Sequence, residues 1–473
     1  MRAHAVTELR FHGASERTGP LNWAQKAIWS VICWEGQDAY RRNLHSVWEL
    51  PDGTAESAVL DAFGDLLAGY EALRTSYENT EAGVERVLQR VHGAGAVPVH
   101  RYEVSGPPDT WDIDGIVADI LPQPFAFAAL PVRIALVSVA GKPVRAVCVV
   151  AHVAVDGWSL RVIHDAFPDV LARGRDSDAY RSAVASEQPI DRAEYEGSAQ
   201  GARMAERTLA HWRDAFRDVP RSMFAGDSEL RPVPETSLIH SHRMARAVAR
   251  ICDDLQVTAS NVILAAGAQV MACVLDEEEV ALRSLIALRF KPKARYSVGA
   301  VNLNGLFRVR ITAGEGFRDF LSRVASSAVT TALYSQCDPV LQEAELERIM
   351  RERGSLTKKY AFFNDKRYVS RPRESAVTCL DTDPRCAGGG TWFRDYTDVK
   401  PDMDSKYLLM VHDVAAAVEL SLYLDRLHFP LGPVPLLTAM ERLLEAAADD
   451  PGVPADAVAR AALAEPVSGP AGG

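Results

Sequence analysis

The sequence predicts a mixed α/β protein of more than one domain. Three observations carry this. Helical and strand patterns alternate along the 473 residues. The two clearest strands, 132–139 and 144–150, run directly into a helix, the packing of sheet against helix that an α/β core needs. A polar stretch at 173–190, ending in Gln188-Pro189-Ile190, interrupts the pattern and reads as a connector or domain boundary. A prior of about 150 residues per domain allows three domains or two large ones.

Each element has its own signal. Residues 20–34 begin near Asn22, an N-cap residue, and continue with apolar residues at helical spacing. Residues 56–70 carry an apolar stripe of Val59, Leu60, Phe63, Leu66 and Leu67, so they form an amphipathic helix. Residues 86–91 read as a strand. Gly141-Lys142-Pro143 separates strands 132–139 and 144–150, which makes them a hairpin. The second is nearly all apolar and should be central, buried on both faces. Residues 159–171 and 195–216 are helical. Ser260 caps an apolar helix at 262–275. A strand at 280–288 precedes a loop at 289–297. A helix follows at 315–333 and a short strand at 359–363. Residues 370–399, rich in Pro, Gly, Asp and Arg, form the longest irregular stretch. A strand pair at 406–411 and 417–424 and a last helix at 436–447 complete the chain.

Composition excludes several classes. With 48% hydrophobic and 24% charged residues the chain is neither disordered nor collagenous, and it is far too long for a disulfide-stapled miniprotein. A net charge of −11 argues against a general nucleic-acid binder. The local cations Lys291, Lys293 and Arg295, and Lys366 and Arg367, read as solvated faces. Seven cysteines, at 33, 148, 252, 273, 337, 379 and 386, form an odd set without a CxxC pair. They suggest no disulfide framework and no metal site, and they fit a reducing cytoplasm. The N-terminus lacks the apolar core of a signal peptide. The most apolar stretches, 144–155 and 262–275, fall short of the roughly 18 residues of a membrane span.

Chemistry concentrates where strand 144–150 meets the next helix. The junction reads Ala151-His152-Val153-Ala154-Val155-Asp156-Gly157-Trp158-Ser159. A histidine fixed just past a buried strand is placed to act as a general base near neutral pH. Asp156 need not touch the imidazole; it can turn back and pin an arginine. Gly157 removes a side chain where the chain turns or a ligand passes. The plain alternative is a core histidine near a helix N-terminus, with Asp156 as the cap.

Ala151 to Ser159 resembles the HHxxxDGWS signature of condensation domains of nonribosomal peptide synthetases. Other segments match that family in order. Leu21-Asn22-Trp23-Ala24-Gln25 resembles its first motif, and Tyr70-Glu71-Ala72-Leu73-Arg74-Thr75 resembles "HEALRT". Pro124-Phe125 through Leu130-Pro131-Val132-Arg133 resembles the strand entry before the histidine motif. His211-Trp212-Arg213, Val298-Gly299 with Arg308, and Cys337-Asp338-Pro339 resemble later motifs. Phe362-Phe363-Asn364-Asp365-Lys366-Arg367 resembles a variant found in free-standing members. The resemblance covers roughly residues 20 to 450. Departures are Ala151, where the family usually has its first histidine, Leu303 for an asparagine, and Leu408 for an aspartate.

The resemblance implies two chloramphenicol acetyltransferase-like lobes in a V around a central tunnel, divided here as residues 1–178 and 179–473. It implies acyl transfer: an amine, or less often a hydroxyl, attacks a thioester held on a carrier protein. The chain would bind no cofactor and no metal itself; the phosphopantetheine arm of an acyl or peptidyl carrier protein would bring the thioester to it. The acceptor amine would be a small molecule or carrier-bound. His152 would be the catalytic residue, and the Gly157 N–H would lie near the developing oxyanion. Asp156 would pair with Arg289. Ala151 and Trp158 would pack, Ser159 would cap the next helix, and Arg74 would support the fold by ion pairing. A monomeric, cytoplasmic, free-standing enzyme is expected, with no nucleic-acid or membrane partner. Two alternatives remain open: a non-catalytic module that recruits proteins to an assembly line, and an acyltransferase using coenzyme A, although no DFGWG motif is present.

Overall fold

The computed structural model of the chain describes residues 3–465 apart from 14, 80–83, 220–232, 355–359, 368–389, 396–404, 413 and 415. Cys379, Cys386 and most of the irregular stretch 370–399 lie outside the described residues. The chain divides into two compact units. The first comprises Met1–Ala205, Ala287–Leu303 and Asp338–Val340, and the second the remainder. A single cut after residue 178 therefore does not follow the units. Residues 179–205 and 287–303 belong with the N-terminal part.

The first unit is built from β1 (Ala5–His12), β2 (Arg17–Pro20), α1 (Trp23–Glu35), β3 (Leu44–Glu49), α2 (Glu56–Gly69), β4 (Thr75–Asn79), β5 (Val87–Val91), β6 (Ala94–Glu103), α3 (Ile113–Ile120), β7 (Val132–Val139), β8 (Lys142–Val150), α4 (Gly157–Arg173), α5 (Asp178–Ala185), α6 (Pro189–Glu196) and the start of α7 (Ala199–Asp218). Five strands form one sheet in the order β1-β6-β7-β8-β3, and β2-β5-β4 form a second. β8 is an interior strand, antiparallel to β7 and to β3. Ala146 to Val150 are all essentially inaccessible, which explains the unbroken apolar run. The hairpin turn is Ala140-Gly141, both with positive φ, so Lys142 and Pro143 already belong to β8. Two left-handed residues give the tight turn that matches strand twist.

The stretch at 173–190 is not a loose connector. It folds into α5 and leads into α6. Ala183 is buried, and its Cβ sits against Gly69 of α2, at a point where a Cβ on Gly69 would come within 3.2 Å. Polar composition concealed this because only one narrow face of α5 is covered. The helical stretch at 195–216 is likewise broken at Gly197-Ser198, between α6 and α7.

The second unit holds a seven-stranded sheet in the order β11-β10-β12-β14-β15-β9-β13. Its strands are β9 (Pro234–Ser241), β10 (Glu279–Ala287), β11 (Asn302–Arg310), β12 (Tyr360–Asp365), β13 (Thr391–Asp395), β14 (Ser405–His412) and β15 (Val418–Asp425). α8 (His242–Leu255), α9 (Ala259–Leu275), α10 (Phe317–Leu333), α11 (Pro339–Glu352), α12 (Pro433–Asp449) and α13 (Ala455–Ala464) accompany them. α9 packs in the main core of this unit, and every residue from Val262 to Ala272 is buried, so the helix is covered all round. Thr258, not Ser260, caps α9: its side chain accepts the Asn261 N–H, because the helix starts before the apolar run does. The helix near 436–447 is α12, and α13 follows it. Among the described residues no single helix is long and apolar enough to cross a membrane; α8 and α9 together reach the length but are bent by 113°.

Candidate functional site

The end of β8 sets the site. Val150 closes the ladder with both β7 and β3, and the Ala151 N–H donates to the Pro131 carbonyl at 2.9 Å, carrying the β7 pairing one step further. The backbone leading to His152 is thus held at the end of an interior strand, paired on both sides. His152 is partly buried. Its Nδ1 lies 2.8 Å from the Val155 carbonyl. A carbonyl can only accept, so Nδ1 carries the proton and Nε2 keeps its lone pair. Burial pushes the imidazole below its usual titration range, against the Val155 hydrogen bond and the Asp156 charge, which favour the protonated form.

Asp156 does two jobs at once. It is the N-cap of α4, its Oδ1 accepting the Ser159 N–H at 2.8 Å. It also forms a two-pronged ion pair with Arg289, Nη1 to Oδ2 and Nη2 to Oδ1, both at 2.9 Å. Its Oδ2 accepts the Val301 N–H at 3.1 Å. Both side chains of the pair are 2% exposed. Burial alone would raise the Asp156 pKa. The Arg289 charge and the hydrogen bonds outweigh it and hold the carboxyl below the usual carboxylate range. The cap and the arginine partner were competing readings of one aspartate; the geometry supports both.

Ser159 has a different place from the one expected. It is the third residue of α4, not its cap, and it is fully buried. Its Oγ accepts from Arg289 Nη2 at 2.7 Å and from the Gly299 N–H at 2.9 Å. The same Oγ lies 2.9 Å from Asp156 Oδ1 and 2.7 Å from the Gly299 carbonyl, two acceptors for its one proton. Ser159 therefore fastens the 289–303 segment to the start of α4. Sequence reasoning singled out Val298-Gly299 as a motif but had no signal for this contact, because partners 140 residues apart leave no local pattern.

Gly157 is the first residue of α4, and the positive-φ glycines among the described residues lie elsewhere. No left-handed backbone demands glycine here. Its N–H belongs to the first helical turn, where amides lack intrahelical acceptors. Trp158 is only partly buried; its Nε1 donates to the Arg295 carbonyl at 3.2 Å, and the Arg289 guanidinium lies 5.7 Å from its ring. Ala151 is buried in the core of the first unit. Arg74 is 2% exposed, yet its hydrogen bonds go mainly to backbone, from Nη1 to the Ser15 and His92 carbonyls, both at 2.8 Å. The expected ion pairing is also present, with Glu71 at 3.9 Å, while Arg17 holds the same carboxylate more closely, at 2.7 Å. Arg74 thus acts as a backbone clamp, and Gly13 gives it room: a Cβ there would fall 2.7 Å from the guanidinium carbon.

Among the described residues, no group of three or more His, Cys, Asp or Glu side chains is placed to hold a metal ion. The resemblance seen in the sequence extends to the family level. The condensation-domain family model matches residues 15–342, and the chain belongs to that family. A curated relative is a chain of the linear gramicidin synthase of Brevibacillus parabrevis, 23% identical over 351 residues. That match covers 70% of this chain, and the chain spans 7% of the relative's length. Two solved structures are similar in fold. One concerns condensation domain-mediated chain release from the enacyloxin polyketide synthase, with a TM-score of 0.66, 19% identity and coverage of 93% of this chain and 84% of that one. The other is SgcC5 from Streptomyces globisporus, with a TM-score of 0.65, 17% identity and coverage of 92% and 100%. The mixed α/β fold is that of condensation-domain structures, with two lobes.

Proposed function

We propose that this chain is a condensation enzyme acting on an acyl or aminoacyl thioester presented by a carrier protein on its phosphopantetheine arm. An amine, small or carrier-bound, attacks the thioester carbonyl. The C–N bond forms, the C–S bond breaks, and the pantetheine thiol leaves. The proton lost by the amine goes to His152 Nε2, which passes it to the departing thiolate, so that the pantetheine leaves as its thiol. The observation that carries this reading is the hydrogen bond between His152 Nδ1 and the Val155 carbonyl, which leaves Nε2 as the acceptor. The lowered pKa keeps that nitrogen unprotonated near neutral pH. The Gly157 amide, at the positive end of α4, is the donor this reading assigns to the oxyanion.

Asp156, Arg289 and Ser159 position the loop and touch no reacting atom. Ala151 takes a place where the family usually has a histidine. There it is buried, with its N–H satisfied, so the loop keeps its course without that ring. The test is His152→Ala with a loaded carrier protein, followed by intact-protein mass spectrometry of the carrier. Loss of a general base costs about 10²–10⁴-fold in rate. Undiminished acyl transfer would remove His152 from the mechanism, whereas no turnover by the unaltered protein on any loaded carrier would favour the recruiting, non-catalytic alternative.

A further inference from the structure

We propose that the exposed segment from Phe290 to Tyr296 is the docking surface for the carrier protein, which engages it through an acidic face. The inference rests on the reading that the thioester arrives on a carrier, and it adds where that carrier binds.

The segment combines unpaired charge with exposed aromatic surface. Lys291, Lys293 and Arg295 fall within five residues of sequence, and all three are exposed. Among the described residues none of them forms an ion pair with a carboxylate. Two of them lie over aromatic rings instead. Lys291 Nζ is 4.5 Å from the Tyr195 ring centre, and the Arg295 guanidinium is 5.7 Å from that of Tyr296. Glu187, which touches the segment through its backbone, has its carboxylate held by Arg192 at 2.8 Å. Phe290 and Tyr296 bracket the cations and remain 64% and 49% exposed. Large aromatic side chains left in water and rimmed by polar groups mark an interaction surface.

The surface is fixed before any partner arrives. Arg289, just before it, is locked to Asp156, and Ser159 holds Gly299 just beyond it. Pro292–Arg295 form one helical turn around the buried Ala294. The Ala294 N–H donates to the Lys291 carbonyl at 3.0 Å, and the Ala294 carbonyl accepts from Ser297 Oγ at 2.8 Å. The Lys293 carbonyl accepts the Glu187 N–H at 3.1 Å, and the Arg295 carbonyl accepts the Trp158 indole N–H at 3.2 Å. A preorganised surface loses little entropy when a partner docks. Through Asp156 and Trp158 the same fastenings tie the segment to the loop that carries His152.

Charge selects the class of partner. The whole chain carries −11, but charge is felt over only about 8 Å at physiological salt. A compact acidic protein face meets the local cations alone. A long polyanion such as a nucleic acid meets the acidic remainder of the chain as well.

The test uses the full chain, with isotope-labelled holo acyl and peptidyl carrier proteins titrated against it at low and high salt. At least one carrier should bind, and more weakly as salt rises. Lys291→Glu with Lys293→Glu should weaken that binding about tenfold or more at low salt. Phe290→Ser should weaken it at high salt too, because an apolar contact is not screened. Lys142→Glu, at the exposed end of β8 away from His152, should leave binding near the unaltered value. Acyl transfer is then compared, below saturation, between a donor on the carrier and the same acyl group on N-acetylcysteamine, a thioester that needs no docking. The ratio of the two rates should fall in the double variant by the factor seen in binding. No binding to any carrier, unchanged binding in the double variant, an equal loss in Lys142→Glu, or tighter binding of a single-stranded oligonucleotide overturns the proposal. If the unaltered chain binds a carrier through this segment but turns over neither thioester, the docking surface stands and the reading of the chain as a condensation enzyme fails.

Discussion

At the residue scale, Asp156 links stability to the site. It is a buried carboxylate that caps α4, accepts the Val301 N–H and neutralises Arg289. Removing one partner of such a pair leaves the other charge stranded, which costs about 3–5 kcal/mol. Asp156→Asn should therefore lower stability by roughly that amount at pH 7, read from urea unfolding. The pH dependence follows from its lowered pKa. Above the unfolded value of about 4 its contribution is fully present, and it is lost as pH falls through the lower folded value. Wild type should thus lose stability in acid more steeply than Asp156→Asn, so the two unfolding free energies converge there. Equal acid slopes in the two proteins would show that Asp156 is not the group responsible.

At the element scale, α4 contains Pro168, which has no N–H to give the carbonyl of His164, one turn earlier. The Trp48 indole from β3 supplies the missing donor, Nε1 to the His164 carbonyl at 2.9 Å. The indole also stacks on the His164 ring at 5.5 Å and packs on Phe167 at 4.6 Å. The proline is tolerated because a neighbouring strand takes over one helical bond. Trp48→Phe keeps a ring but strands that carbonyl, so it should cost about 1–3 kcal/mol, measured by thermal unfolding. A loss no larger than that of a surface substitution would mean that water replaces the indole.

At the scale of the whole molecule, one buried acid shapes stability on the alkaline side. Glu196, at the end of α6, is buried, and its Oε2 accepts the Trp23 N–H at the start of α1 at 2.6 Å. Burial lifts its pKa to about 8, despite that bond and the nearby Arg192. A carboxyl whose folded value is raised stabilises most below its unfolded value, about 4, and that contribution is lost as pH rises through about 8. Glu196→Gln keeps an acceptor for Trp23 without the ionisation. Its midpoint of thermal unfolding should fall less between pH 6 and 9, a window chosen around that value, than the wild-type midpoint does. Parallel pH profiles for the two proteins would refute the assignment.

What was legible in the sequence was what local periodicity and short motifs encode. The apolar stripe of α2, the hairpin of β7 and β8, the Asn22 cap of α1 and the HxxxDG junction all sit within a few residues of their own cause. The missed elements depend on distant partners. α5 is a short polar helix whose one buried residue, Ala183, packs against Gly69 of α2. By itself the sequence determined the family, the strand that carries His152 and the pairing candidates Asp156 and Arg289. Tertiary structure alone decided that Ser159 binds Gly299 and that Arg74 clamps carbonyls. The physical reason is that hydrogen bonds and charges act across space, whereas a sequence records only neighbours along the chain.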